Sequence, residues 1–169
     1  MNNRTFYLIF GVVVIASIGF WVYMFQGSSA SQAEPAAEPY EGPISLTMYH
    51  SEGCNCCVKW GEYLERNGVE VTSELVSDLG AVKQEHGVPG RLQSCHTAIA
   101  DGYVIEGHVP VEDIRRLLGE RPDAIGISVP GMPPNSPGMD IPSDRSYQSV
   151  LFTEDQMAVY NTHEGLVTE

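Results

Sequence analysis

The sequence predicts an α/β fold, and three observations carry that prediction. Short β-rich runs alternate with runs of helical spacing in the order β-α-β-α-β-β-α. Asp101-Gly102 stands between two apolar runs, which is the chemistry of a tight hairpin. Cys54-Asn55-Cys56-Cys57, with three of the chain's four cysteines, falls at the junction of the first strand and the first helix.

Each element has a local reason. Ile44 to Tyr49 (ISLTMY) is apolar and β-rich, a short strand. Cys56 to Asn67 has helical spacing, with Val58, Tyr63 and Leu64 expected to face inward and Asn67-Gly68 as its stop. Val69 to Val76 alternates and predicts a second strand. Asp78 is placed to N-cap a short helix through His86, ended by Gly87-Val88-Pro89. His96 to Ala100 and Tyr103 to Glu106 are the hairpin strands. Pro110 opens a helix whose Val111, Ile114, Leu117 and Leu118 share one face. This order is that of a thioredoxin fold, in which the C-x-x-C pair sits at the start of the first helix, where backbone N–H groups and the macrodipole favour a thiolate. Cys95, just before the third strand, should then lie close to Cys54 and Cys57.

The domain expected is thus thioredoxin-like over residues 43–121, with a C-terminal extension over 122–169. The extension carries an imperfect Pro-Gly-Met repeat, Pro130-Gly131-Met132 and Pro137-Gly138-Met139, that no helix can cross. Tyr147 to Phe152 and Gln156 to Tyr160 are expected as two further strands.

Ahead of the domain lie two other segments. Phe6 to Phe25 is uncharged and apolar; at ~1.5 Å per residue it matches the ~30 Å hydrocarbon core of a bilayer. Arg4 precedes it and no Lys or Arg follows until Lys59, so the positive-inside rule leaves the N-terminus in the cytoplasm and exports the rest. Residues 1–26 are therefore expected to form an uncleaved anchor in the inner membrane. The competing reading is a signal peptide cleaved after Ala30 or Ala33, but the apolar run is longer than an ordinary signal core. Residues 27–42, small, acidic and Pro-containing, are expected to be a flexible tether. A formal net charge of −13 argues against nucleic acid as a partner.

Three thiols this close repel as thiolates and oxidise unless something holds them. Outside the cytoplasm a structural disulfide is the ordinary reading of paired cysteines, yet adjacent Cys56 and Cys57 make a poor pair. Soft metals such as Cu(I), Zn²⁺ or an iron–sulfur centre suit crowded thiolates, and a bridging thiolate suits a cluster. The metal candidates are Cys54, Cys56, Cys57 and Cys95, joined by the thioethers of Met139 and Met132 and the imidazoles of His108 and His163. Cys54 and Cys57 are also the candidate redox pair. His96 is expected to point away from Cys95 by strand alternation.

Four segments together resemble the bacterial family that includes the copper-resistance protein CopG: Cys54-Asn55-Cys56-Cys57, Ser94-Cys95-His96-Thr97-Ala98, Gly107-His108-Val109-Pro110 and the Pro-Gly-Met repeat. The resemblance implies a thioredoxin-like domain whose extension joins in metal binding, a multinuclear copper site at the cysteines, interconversion of Cu(I) and Cu(II), and a periplasmic setting. It implies copper ions as the ligand, with a copper efflux system or an envelope electron donor as the kind of partner. Two other functions remain open: a copper chaperone or sequestration module without redox turnover, and a metal-independent thiol–disulfide oxidoreductase.

Overall fold

The fold is that of a computed structural model, which describes residues 38–165. The expected anchor (1–26) and most of the expected tether lie outside the described residues. Among the described residues, no helix is long and apolar enough to cross a membrane.

The described residues fold as a mixed α/β unit, with three α-helices and one sheet among them. The strands are β1 (Ile44–His50), β2 (Val69–Leu75), β3 (His96–Ala100), β4 (Tyr103–Glu106), β5 (Gly126–Ser128), β6 (Tyr147–Phe152) and β7 (Met157–His163). The helices are α1 (Asn55–Arg66), α2 (Leu79–Glu85) and α3 (Val111–Glu120). The sheet runs β2-β1-β3-β4-β5-β6-β7. β1 is parallel to β2 and antiparallel to β3, which brings His50 opposite His96. β3 and β4 form the hairpin predicted at Asp101-Gly102, and β4 is parallel to β5.

The observed order through α3 is β-α-β-α-β-β-α, as the sequence predicts. The extension adds three strands to the same sheet, β5 to β7, rather than a separate layer. β5 is the strand that the apolar run Ala124 to Val129 did not reveal. It is only three residues long, and what makes it a strand is pairing with β4 and β6 rather than its own composition.

α1 shows one departure from expectation. Val58 is 48% exposed, whereas Cys57, Trp60, Gly61 and Leu64 are buried. These four lie three, one and three residues apart along the helix and form one stripe against the sheet. At roughly 100° per residue these four fall on one side of the helix, and Val58, one step round from Cys57, falls beside it. The inward face of α3 is as predicted: Val111, Ile114, Leu117 and Leu118 are all buried. The Asp78 side chain accepts from the Ala81 N–H at 3.0 Å, the expected cap of α2.

Candidate metal centre

Four loops or element ends converge where β1 hands over to α1. Cys54 is the residue before α1, and Cys56 and Cys57 lie in its first turn. Cys95 directly precedes β3, and His108 follows β4. Antiparallel pairing of β3 with β1 carries Cys95 to the start of α1 despite its distance in sequence.

The four sulfurs gather closely. Cys54 and Cys57 are joined in a disulfide with Cα atoms 5.3 Å apart, while Cys56 and Cys95 keep free thiols. The Cys56 Sγ lies 3.6 Å from Cys54 Sγ and 3.7 Å from Cys95 Sγ. The Cys57 sulfur is 3.6 Å from the Cys95 carbonyl oxygen. Ligand atoms of all four cysteines fall within 4.8 Å of one another, and those of Cys95, His96 and His108 form a second such group.

The two histidines differ from each other. His108 Nδ1 is 2.8 Å from the Pro137 carbonyl, so it carries the proton and donates it there. The lone pair of His108 Nε2 then faces Cys95 Sγ at 3.1 Å. A neutral imidazole oriented by a carbonyl in this way is the usual form of a metal-ligating histidine. Burial lowers the pKa of His108 and holds it neutral, against the pull of the Pro137 carbonyl.

His96 corrects the expectation that it would point away. Its ring is fully buried, with Nδ1 3.4 Å from Cys95 Sγ and the ring centroid 5.1 Å from that of His108. Strand alternation does not separate them, because β3 begins at His96 and Cys95 lies outside it. The Trp60 ring lies tilted against that of His96, with centroids 4.4 Å apart. Burial, with His108 and Lys83 nearby, pushes the His96 pKa well down. His96 Nε2 has no hydrogen-bond partner among the described residues.

The Cys95 thiol is pushed up to about 12 by burial first and by neighbouring Cys56 second. A thiol so reluctant to ionise alone is one that a cation would have to ionise. The donor set therefore fits a soft metal: four sulfurs at ligand spacing, a bare imidazole nitrogen among them, and a buried polar atom left without a partner.

The second turn of the Pro-Gly-Met repeat closes over α1. Ser136 accepts the Met139 N–H at 3.0 Å, and Pro134 accepts the Ile141 N–H at 2.8 Å. Gly138 has a φ of +84°, and a Cβ there would meet the Trp60 backbone nitrogen at 2.7 Å. Glycine is thus required both by the backbone conformation and by the close approach. Met139, on this turn, is half-buried, whereas Met132, on the first turn, is 55% exposed. The structure does not bring His163 to the thiols. Its Nε2 is 2.7 Å from Asp113 Oδ2, and its ring stacks on Tyr147. His50 spends both nitrogens elsewhere, on the Ser51 carbonyl and the Ser73 hydroxyl.

A buried charge pair that the sequence reading passed over supports the site. Glu106, 0% exposed, accepts from Lys83 Nζ at 2.5 Å and the Ser94 N–H at 2.6 Å through Oε1, and from the Thr97 hydroxyl at 2.7 Å through Oε2. One carboxylate so ties α2, the segment before Cys95 and β3. Gly107 follows at φ +73°, its N–H donating to the His96 carbonyl, and the chain turns there to present His108. The available signal was a glutamate ending the otherwise apolar run Tyr103-Val104-Ile105, whose strand is wholly buried.

A half-buried cluster of soft donors at a helix start, where the interior strands β1 and β3 of an α/β sheet meet the loops, defines a class of cysteine-rich metal-site protein. Comparison narrows the class. Residues 92–139 match a family model described as "Protein of unknown function, DUF411". Two solved structures, described as copper resistance protein CopG Form 2 and Form 1, are each 42% identical to this chain with a TM-score of 0.67. Form 2 covers 72% of this chain and 99% of its own; Form 1 covers 76% and 100%. No curated protein matches the chain. The chain belongs to the family of the copper resistance protein CopG.

Proposed function

We propose that this protein binds copper in the cell envelope and takes part in copper resistance by holding the metal in a thiolate-rich, multinuclear site and interconverting Cu(I) and Cu(II). The observation that carries the reading is the position of Cys56. It belongs to no disulfide, yet its sulfur lies within 3.6 Å of that of Cys54 and 3.7 Å of that of Cys95. A dithiol redox site has no use for this third thiol, whereas a bridging ligand must sit there.

In this reading the domain is a thioredoxin-like unit whose exchange site has become a metal site. Reduced Cys54, Cys56, Cys57 and Cys95 supply thiolates, and His108 adds a neutral nitrogen that tolerates Cu(II) better than thioether does. Met139 caps the site from the turn over α1, with Met132 as a weaker candidate. Bound copper supplies one-electron chemistry. Cys57 is buried, while Cys54, Cys56 and Cys95 are half-buried, so the site stays open to an incoming ion on one side. Residues 1–26 anchor the domain on the periplasmic side of the inner membrane, where an efflux system or an electron donor would meet it.

The test is copper uptake by the reduced protein. Purified under reducing conditions without air, it should retain copper against a chromophoric Cu(I) chelator, and Cys56→Ser should retain much less. No retained copper would sink the reading. A second reading, a metal-independent thiol–disulfide oxidoreductase, is favoured by the Cys54–Cys57 disulfide itself. It predicts disulfide exchange without metal, lost in Cys54→Ser and intact in Cys56→Ser.

A further inference from the structure

The disulfide divides the cysteines unequally. Cys54 and Cys57 are joined, and Cys56 and Cys95 are not. The thiolate is the ligand form of cysteine, so closing this bond removes two of the four sulfur ligands at once.

What the closed bond leaves behind is still a donor set. Cys56 Sγ and Cys95 Sγ are 3.7 Å apart, and His108 Nε2 presents its lone pair 3.1 Å from Cys95 Sγ. His96 adds a fully buried ring with Nδ1 at 3.4 Å and an unpartnered Nε2. These distances belong to the disulfide form itself, so the residual set is already assembled with the bond closed.

We propose that the Cys54–Cys57 disulfide is a valve on copper capacity: open, the site binds through four thiolates; closed, it keeps a smaller site made by Cys56, Cys95 and His108. This rests on the copper reading above. Opening takes two electrons and two protons from an external dithiol. Cys57 is fully buried while Cys54 is partly accessible, so the donor thiolate attacks the Cys54 sulfur and Cys57 leaves as the thiol. The donor's second thiol then displaces Cys54 and departs as a disulfide. Closing hands the same two electrons and two protons to an external disulfide, which leaves as its dithiol through the same mixed-disulfide step run backwards, and expels part of the copper. It also shifts the remaining site from sulfur-rich toward mixed sulfur and nitrogen, which suits Cu(II) better.

The experiment compares two states of the unaltered full chain. One portion is kept with the disulfide closed, and the other is opened by a phosphine reductant that is then removed; alkylation and peptide mass verify each state. Both are titrated anaerobically with Cu(I) against a chromophoric chelator. The open form should hold roughly twofold more copper than the closed form, following the halved thiolate count, and the closed form should still hold some. Cys54→Ser/Cys57→Ser should match the closed form whether or not reductant has been used. Cys95→Ser and His108→Ala should each strip copper from the closed form. Equal capacity in the two states overturns the proposal, and so does a closed form that binds nothing. An open form without copper would instead overturn the copper reading on which the valve depends.

Discussion

Glu106 accepts the Ser94 backbone N–H at 2.6 Å, so a fully buried carboxylate holds the peptide that delivers Cys95. Its own charge is met by Lys83 at 2.5 Å. Removing one partner of such a pair leaves the other buried and unpaired, at a cost of ~3–5 kcal/mol. Glu106→Ala should therefore lower the urea unfolding free energy by about that much. Lys83→Met with Glu106→Leu should recover a large part of it, because no lone charge remains. If the double variant is no more stable than Glu106→Ala, the pair is not what matters there.

Cys95 should be a slow thiol in the metal-free protein. With its pKa pushed up to about 12 by burial and Cys56, only about one thiol in ten thousand is ionised at pH 8. Labelling by iodoacetamide should be correspondingly slow and should climb about tenfold per pH unit until near the pKa. Rapid labelling of Cys95 at pH 8, read by peptide mass, would contradict the half-buried placement beside Cys56.

Acid should destabilise the metal-free fold through His96 and His108. Unfolded, each imidazole takes up a proton near pH 6.5; folded, burial depresses both pKa values. Below about pH 6.5 the unfolded chain therefore binds more protons, and stability falls as pH falls, by up to ~1.4 kcal/mol per pH unit for each group. Denaturation series between pH 7 and pH 5 should show that slope, and His96→Gln should flatten it.

Asp113 pins the extension to α3. It is 1% exposed, and its two oxygens take Asn161 Nδ2 at 2.8 Å and His163 Nε2 at 2.7 Å. Asp113→Ala leaves two partners unmatched, and each should cost about 1–3 kcal/mol. Amide exchange along β7 should speed up, while copper uptake by the reduced protein should stay within about twofold, since the thiols lie elsewhere. A large loss of copper would return His163 to the metal site.

Gly138→Ala should lift the turn that covers α1. The positive φ and the Trp60 backbone at 2.7 Å both oppose a Cβ, and the strain should cost ~1–3 kcal/mol. His108 should then lose the Pro137 carbonyl that orients it. The readouts are a lower Tm and a shifted Trp60 fluorescence; neither changing would show that the turn does not seal the site.

Much of the fold was legible locally. His96–Ala100, Tyr103–Glu106 and Tyr147–Phe152 are observed with the bounds their turn residues and β-rich runs predict. β5 was not legible, because three residues become a strand only when neighbours pair with both sides. Val58 lies outside the buried stripe of α1, because the sheet meets the side of the helix that carries Cys57, Trp60, Gly61 and Leu64, a choice made by packing. His96 was misassigned because alternation was applied across a strand end. Lys83 and Glu106 looked like ordinary charged residues until burial joined them.

The sequence by itself determined which donors the chain owns and which of them are local neighbours: Cys54, Cys56 and Cys57 at one helix start, Cys95 just before a strand and His96 as its first residue, His108 after the next strand. That follows from intrinsic side-chain chemistry and from spacing within a few residues. Only the tertiary structure decided which donors meet. Antiparallel pairing of β3 with β1 brought Cys95 to the thiols, the Glu106 clamp and the Gly107 turn aimed His108 at it, and Asp113 drew His163 away. The reason is that each of these choices is made by partners far apart in the chain, whose competition for hydrogen bonds and burial no local pattern records.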